Sequence, residues 1–333
     1  MGNSTMEVGA DLLPGLSEIE AAAELVYRSM PVTPQYTWPL LNERAGAEVW
    51  VKHENHTPVG AFKIRGGIVY MDWLRREQPA VRTIVSATRG NHGQSMAFAG
   101  TKAGLQVVIV VPKGNSLEKN RAMRAQGAEV LEVGDDFQAA SDHAIDLARE
   151  HGWHRVPSFD LRLVAGVATY CLEMLRGCPE LERVYVPVGM GSGACAMIAA
   201  RNAFGLKTQV IGVVSSKAPA FALSFAAGQV VEHATETAIA DGVACRKPDP
   251  KALEIGRQGL HRVVMVEDEE VEAAMRAYFA DTHNVAEGAG AIGLAALLKD
   301  ETRGSGRVGT VLCGGNVDSD VFSRVLGGGV ANA

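Results

Sequence analysis

The sequence contains little that points to a secreted, membrane-bound or nucleic-acid-binding protein. Its 333 residues include only five cysteines, an odd number without a C-x-x-C pair, which favours reduced thiols of a cytoplasmic protein over a disulfide framework or zinc site. Positive charge is not in excess, because 32 Lys and Arg face 38 Asp and Glu. We therefore expect no nucleic-acid partner. The longest apolar runs have the length of a strand, so we also expect no membrane span.

Apolar runs of strand length alternate with longer amphipathic segments, and 47% of the residues are hydrophobic. The predicted strands are residues 48–52, 83–86, 107–111, 129–133, 183–188, 209–214, 263–266 and 308–313. The predicted helices include residues 94–102, 116–125, 137–150, 194–204 and 268–282. This alternation predicts an α/β protein with mainly parallel sheet. In such folds ligands bind beyond the C-terminal ends of the strands, so the loops there should carry the chemistry.

The first candidate loop, residues 57–67, places Lys63 where a helix would begin. Apolar Phe62 and Ile64 flank this lysine. A helix N-terminus and apolar neighbours both disfavour an ammonium group, so the pKa of Lys63 should be low. Such a lysine can attack a carbonyl and hold an imine. The alternative is a solvated surface lysine.

The second loop, residues 86–94, contains Gly90 and Gly93, which permit a tight turn whose amide groups point at one spot. A turn of this kind suits an anion such as a carboxylate. Thr88 and Asn91 could add side-chain hydrogen bonds. The alternative is an ordinary strand-to-helix turn that Asn91 caps.

The third loop, residues 186–194, alternates Gly189, Gly191 and Gly193. Alternating glycines free backbone N–H groups to hold a phosphate at a helix N-terminus. A dinucleotide site would need the spacing G-x-G-x-x-G and an acidic residue about 20 positions later. The strand at 209–214 supplies no acid, so a small phosphate monoester fits better than NAD.

An imine-forming lysine, a carboxylate turn and a phosphate loop together suit pyridoxal 5′-phosphate and an amino-acid substrate. A fourth segment, residues 311–316, ends the last strand and could place a small polar group against the pyridine nitrogen. These four segments, in this order, resemble the serine/threonine dehydratase (threonine ammonia-lyase) branch of the fold-type II pyridoxal-phosphate enzymes. The resemblance extends from about residue 31 to about residue 326, and it also covers residues 157–160, 165–166, 240–242 and 287–291.

The resemblance implies two mainly parallel α/β units, similar to the β-subunit of tryptophan synthase, with the cofactor in the cleft between them. The large unit would comprise residues 1–75 and 160–333, and the small unit, residues 76–159, would close on the substrate. A cytoplasmic homodimer is also implied.

Individual roles follow from the same resemblance. Lys63 would be the Schiff-base lysine and the base that takes the Cα proton. The implied cofactor-binding residues are Phe62, Lys63, Asn91, Gly189, Met190, Gly191, Ser192, Gly193, Gly242, Glu287 and Cys313. The implied substrate-binding residues are Thr88, Arg89, Gly90, Asn91 and His92.

The implied reaction is loss of water and then ammonia from an L-β-hydroxy amino acid such as L-threonine or L-serine, which gives a 2-oxo acid. A hydroxyl or thiol beside the pyridine nitrogen, unlike a carboxylate, leaves the ring less protonated and favours such elimination. Cys313 stands where the relatives have serine, and it could be a thiol or a thiolate. No metal is expected, because Val214, Ala218 and Ala220 occupy the positions of the relatives' metal-binding carboxylates.

Arg89 replaces the serine that acts as the second acid/base in racemases, so racemisation is disfavoured. It could contact a substrate carboxylate or point outward as a surface arginine. A bulkier or acidic substrate, such as phenylserine or 3-hydroxyaspartate, therefore stays open. So does β-replacement by an external nucleophile, and so does a non-catalytic pyridoxal-phosphate carrier.

Overall fold

The structure, a computed structural model that describes residues 13–328, contains two separate β-sheets covered by helices. The larger sheet has the strand order β1-β2-β10-β7-β8-β9, and the smaller has the order β5-β4-β3-β6. Within the described residues, β1 and β2 form the only antiparallel strand pair. The predicted α/β class with mainly parallel sheet is confirmed. The strands are β1 (Gln35–Thr37), β2 (Glu48–His53), β3 (Thr83–Ala87), β4 (Gln106–Val111), β5 (Glu129–Glu132), β6 (His154–Arg155), β7 (Arg183–Pro187), β8 (Gln209–Ser215), β9 (Arg262–Val266) and β10 (Arg307–Leu312).

Helices of 7 to 17 residues pack against the two sheets. They are α1 (Leu16–Tyr27), α2 (Pro39–Ala45), α3 (Lys63–Glu77), α4 (Asn91–Lys102), α5 (Leu117–Ala125), α6 (Phe137–His151), α7 (Leu161–Gly177), α8 (Ser192–Ala203), α9 (Ala220–Ala227), α10 (Pro250–Gly259), α11 (Asp268–Thr282), α12 (Gly288–Lys299) and α13 (Ser319–Gly327). Short 3₁₀ turns cover Glu54–His56 and Asp241–Val243. None of the helices between residues 13 and 328 combines the length and the hydrophobicity that a membrane crossing requires.

All eight predicted strands are present, and each boundary is correct to within one residue. Two short strands, β1 and β6, were missed. The predicted start of the helix at residue 94 was wrong, because α4 begins at Asn91. The helix predicted from residue 194 likewise begins at Ser192. In both cases a glycine takes the N-cap position, which moves these two polar side chains into the first helical turn.

Small residues bring the helices close enough to place the loops. A Cβ atom at Gly67 of α3 would lie 2.3 Å from Ser95 Oγ of α4. The Ser95 hydroxyl donates to the Lys63 carbonyl at 2.6 Å. A Cβ at Gly293 of α12 would lie 2.6 Å from Thr310 Oγ1, so this glycine lets α12 lie directly on β10. The start of α4, which follows β3 of the smaller sheet, is thereby held beside the start of α3.

Candidate functional site

Lys63 is the first residue of α3, as the sequence predicted. The loop before it is tied to the end of β10, because the Phe62 N–H donates to the Cys313 carbonyl at 3.0 Å and the Gly315 N–H donates to the Gly60 carbonyl at 2.9 Å. Gly60 has a φ of +68°, in the left-handed region that favours glycine. Because β2 and β10 are parallel neighbours, their ends deliver Lys63 and Cys313 to one place.

The Lys63 ammonium group has weak electrostatic support. Its Nζ donates to Ser192 Oγ at 3.2 Å and lies 5.0 Å from the centre of the Phe62 ring. The side chain is partly accessible to solvent, yet protein surrounds it. This burial lowers the pKa of Lys63 to about 8. A sizeable fraction of the lysine is therefore a neutral, nucleophilic amine near neutral pH.

The glycine loop ends at the N-terminus of α8, where no side chain caps the helix. Its first N–H groups and the Ser192 hydroxyl are thus available to an anion. Gly191 has a φ of +99°, and a Cβ there would lie 2.7 Å from the Ala252 Cβ. A Cβ at Gly189 would lie 3.2 Å from the Gly242 carbonyl oxygen. The loop therefore approaches neighbouring backbone more closely than residues with side chains would permit.

Met190 projects from the same loop and is partly buried. The Cys245 thiol lies 3.3 Å from the Met190 sulfur and 3.1 Å from the Lys247 carbonyl oxygen. This sulfur contact fixes one edge of the glycine loop.

The turn of residues 88–92 follows β3 and also leads into a helix without a side-chain cap. The Gly90 N–H donates to Thr88 Oγ1 at 3.1 Å. His92 points back to the sheet, where Nε2 lies 3.1 Å from Ser86 Oγ. Burial, together with the nearby Lys63 charge, lowers the pKa of His92 to about 3, so its ring is neutral. This turn presents backbone N–H groups to a ligand, and the His92 side chain instead braces it.

Arg89 lies on the outer side of this turn, and its side chain is exposed. Within residues 13–328 its guanidinium forms neither a hydrogen bond nor an ion pair, so it is accessible to solvent or to a ligand at the rim of the site.

Asn91 does not cap its helix, contrary to the alternative interpretation of this turn. It is the first residue of α4, and its Nδ2 donates to Glu287 Oε1 at 2.6 Å. Its Oδ1 accepts a 2.8 Å hydrogen bond from Asn316 Nδ2, which also donates to the Val59 carbonyl at 2.8 Å. One Nδ2 proton of Asn91 is left for a ligand. Asn316 was missed as a site residue, although it ends the segment 311–316 that the sequence singled out.

Glu287 lies just before α12 and is buried, with a side chain that faces Asn91. Burial raises the pKa of Glu287 to about 7, although the Lys119 charge opposes the shift. Gly242 lies against the same carboxyl, since a Cβ there would be 3.8 Å from Glu287 Oε1 and only 2.8 Å from the Ala289 Cβ.

Cys313 ends the site beside Glu287. Its thiol lies 3.3 Å from the Ala289 carbonyl oxygen, to which it donates. Burial, reinforced by Glu287, raises the pKa of Cys313 far above its ordinary value. Of the two states considered for this cysteine, the structure therefore favours the neutral thiol.

The sequence-predicted site residues thus converge from both sheets, apart from the outward-pointing side chains of Arg89 and His92. Their donor set fits pyridoxal 5′-phosphate: an amine for its aldehyde, a helix N-terminus for its phosphate and an amide for its ring oxygen. Glycine lines the space, because a Cβ at Gly314 would lie 2.4 Å from Glu287 Oε1 and 3.2 Å from Asn91 Nδ2. Between residues 13 and 328 no group of three or more His, Cys, Asp or Glu side chains could hold a metal ion.

Comparison with known proteins agrees with this geometry. Residues 27–314 match the family model described as pyridoxal-phosphate dependent enzyme. The chain is 35% identical to the L-threonine ammonia-lyase of Geobacter sulfurreducens over 88% of this chain and 73% of that protein. It is 28% identical to the catabolic L-threonine dehydratase of Escherichia coli K12 over 97% and 99% of the two chains.

Biosynthetic L-threonine dehydratases match as well, but this chain spans only 53% to 58% of their length. Among solved structures, a threonine deaminase from T.th. superposes with a TM-score of 0.85 at 29% identity, over 92% of this chain and 99% of that one. The chain therefore belongs to the family of pyridoxal-phosphate dependent enzymes, and its cofactor is pyridoxal 5′-phosphate.

Proposed function

We propose that the protein is an ammonia-lyase that acts on an L-β-hydroxy amino acid such as L-threonine or L-serine. Water is lost first and is taken up again on hydrolysis, so the net products are a 2-oxo acid and ammonia. The observation that carries the proposal is the 3.2 Å contact of Lys63 Nζ with Ser192 at the mouth of the glycine loop. The names of the L-threonine ammonia-lyases and dehydratases similar to this chain support it.

The proposed roles follow the contacts already described. Lys63 holds the cofactor covalently and, once released by the substrate, takes the proton from Cα as a neutral amine. The N–H groups of α8 and residues 189–193 hold the phosphate, and Phe62 shields the lysine. Asn91, positioned by Glu287 and beside Gly242, donates to the ring oxygen. When bound, the cofactor supplies an electron sink that weakens the bonds at Cα.

The remaining roles concern the substrate and the ring nitrogen. The turn of residues 88–92 orients the substrate carboxylate through its N–H groups. A neutral thiol at Cys313 gives the ring nitrogen no counter-charge, which suits rapid loss of a β leaving group rather than transamination.

The test is the release of 2-oxo acid by the purified, cofactor-loaded protein in the presence of a metal chelator. The panel contains L-threonine, L-serine, D-serine, phenylserine and both diastereomers of 3-hydroxyaspartate. We expect product from at least one L-β-hydroxy amino acid and none from Lys63→Ala. Product that requires an added thiol or amine would instead establish β-replacement, and inhibition by the chelator would contradict a metal-free site.

An acidic substrate is a second candidate, and the exposed, unpaired guanidinium of Arg89 at the substrate turn favours it. A second carboxylate, as in 3-hydroxyaspartate, could pair with this group. Arg89→Ala should then lower kcat/KM for 3-hydroxyaspartate and leave kcat/KM for L-threonine nearly unchanged. Equal effects on both substrates would contradict the acidic assignment.

We also propose that residues 76–159 move as a small unit against residues 1–75 and 160–333. The four strands of the smaller sheet all lie between residues 83 and 155, which supports this division. A homodimer in the cytoplasm is proposed from the family resemblance, and five buried free cysteines suit a reducing compartment. Light scattering of the holoenzyme would test the assembly.

A further inference from the structure

The first turn of α5, in the smaller-sheet unit, contacts loops of the larger-sheet unit. Lys119 Nζ lies 2.6 Å from Asp241 Oδ2 in the 3₁₀ turn that carries Gly242. The Ser116 hydroxyl, at the N-cap of α5, donates to Asp318 Oδ1 at 2.5 Å. These contacts connect segments about 120 to 200 residues apart in sequence, so they bridge the two sheets rather than stabilise one helix.

Lys119 also lies on the substrate turn. A Cβ atom at Gly90 would be 3.1 Å from Lys119 Cδ, so the aliphatic part of the lysine packs directly on the Gly90 backbone. Its side chain is 13% exposed, and that of Asp241 is 38% exposed. The pair is thus neither a freely solvated surface contact nor a fully buried one. One side chain joins the carboxylate turn to the wall that contains Gly242 and Glu287.

The charge at Lys119 is well supported. Burial disfavours the ammonium, but the carboxylates of Asp241, Glu287 and Asp318 outweigh this penalty and raise the pKa of Lys119. The lysine therefore stays charged while it is enclosed.

We propose that Lys119 is a positioning residue whose ion pair with Asp241 holds the turn of residues 88–92 closed over the bound amino acid. The proposal rests on the proposed function only in assigning an amino acid to that turn. Substrate binds tightly when the pair is formed, and the open form binds it weakly. Lys119 contributes through Gly90 and Asp241, and it does not touch the reacting atoms.

The main test is Lys119→Met, which keeps most of the aliphatic stem on Gly90 and removes the charge. If the closed fraction falls to about one tenth, KM rises about tenfold while kcat changes much less. The dissociation constant for pyridoxal 5′-phosphate, measured by absorption titration, should stay unchanged. Small-angle X-ray scattering of the holoenzyme without substrate should show a larger radius of gyration than the wild type.

The matched control is Lys299→Met, which breaks an ion pair with Glu270 of 2.9 Å at the far end of α12. It should leave KM and scattering unchanged. Asp241→Asn should raise KM as Lys119→Met does, and the double variant should be no worse than either single one. The exchange of Lys119→Asp with Asp241→Lys should recover part of the lost affinity.

A wild-type KM and scattering profile for Lys119→Met would overturn the proposal, as would additive effects of the two single variants. The scattering comparison needs no turnover. An expanded Lys119→Met holoenzyme without any ammonia-lyase activity would therefore contradict the proposed function and still support the role of Lys119.

Discussion

Asn91 Nδ2 donates a 2.6 Å hydrogen bond to Glu287 Oε1, and this contact joins the helix after β3 of the smaller sheet to the helix that packs on the larger one. Both residues mark a helix start, since Asn91 begins α4 and Glu287 precedes α12. Each helix start is thereby fixed by the other unit. The protonation state of Glu287 sets how strongly it accepts this bond.

Glu287→Gln tests the consequence for stability. The pKa of Glu287 is raised from 4.5 to about 7 in the folded protein. The native state therefore holds this proton more tightly than the unfolded state between these pH values, and the free energy of unfolding falls as pH rises through this window. Glu287→Gln removes the titration but keeps an acceptor for Asn91. Relative to the variant, the wild-type apoprotein should lose about 2 kcal/mol between pH 5 and pH 8.

Urea unfolding at several pH values measures this difference. Glu301→Gln, at an exposed position, is the control and should follow the wild-type pH profile. Parallel profiles for the wild type and Glu287→Gln would show that the carboxyl is already ionised at pH 5.

Cys313→Ser should retain turnover to within about tenfold, because serine also donates a hydrogen bond and carries no charge. Cys313→Asp should lose far more, since a carboxylate would protonate the ring nitrogen. Steady-state 2-oxo acid release and the absorption of the bound cofactor measure both effects. Loss of all turnover in Cys313→Ser with the cofactor still bound would refute a role limited to hydrogen bonding.

The sequence was sufficient for the fold class and for the three strand-end loops, because apolar strands and glycine-rich turns are local patterns. It located Lys63 at the start of α3 for the same reason. Asn316 and Lys119 were not found, because their contacts depend on tertiary structure. Nothing in the amphipathic segment around Lys119 indicates that its first turn faces Asp241, more than 100 residues away.

The buried charges around Arg65 were also beyond sequence reasoning. Arg65 follows Lys63 by two residues and is fully buried, with nitrogens 2.7 Å from carboxylate oxygens of both Glu54 and Glu173. Lys52 pairs with Glu173 at 2.6 Å. Charged residues of this kind usually predict surface, and only the folded arrangement shows that they satisfy one another.

Arg65→Met should destabilise the protein by about 3 to 5 kcal/mol, because two carboxylates stay buried with only Lys52 to balance them. The start of α3 should loosen as well, which weakens cofactor attachment at Lys63. Arg76→Met, which breaks an exposed pair with Asp72 on the same helix, should cost less than about 1 kcal/mol. Equal losses in urea unfolding would mean that the buried cluster contributes no more than a surface pair.

The two ends of α8 provide a matched comparison for cofactor binding. Gly191, before the helix, has a φ of +99°, and Gly205, after it, has a φ of +62°. Alanine at either position costs about 1 kcal/mol of backbone strain. Only at position 191 would the new Cβ meet another atom, the Ala252 Cβ at 2.7 Å, whereas nothing lies within 4 Å at position 205.

Gly191→Ala must therefore displace the glycine loop, and we expect its affinity for pyridoxal 5′-phosphate to fall at least about tenfold, or 1.4 kcal/mol. Gly205→Ala should bind the cofactor like the wild type and show only the loss of stability. Absorption titration of the two apoproteins measures the affinities, and urea unfolding measures the shared strain. The same affinity in both variants would mean that the N-terminus of α8 tolerates displacement, and it would remove the phosphate from that helix end.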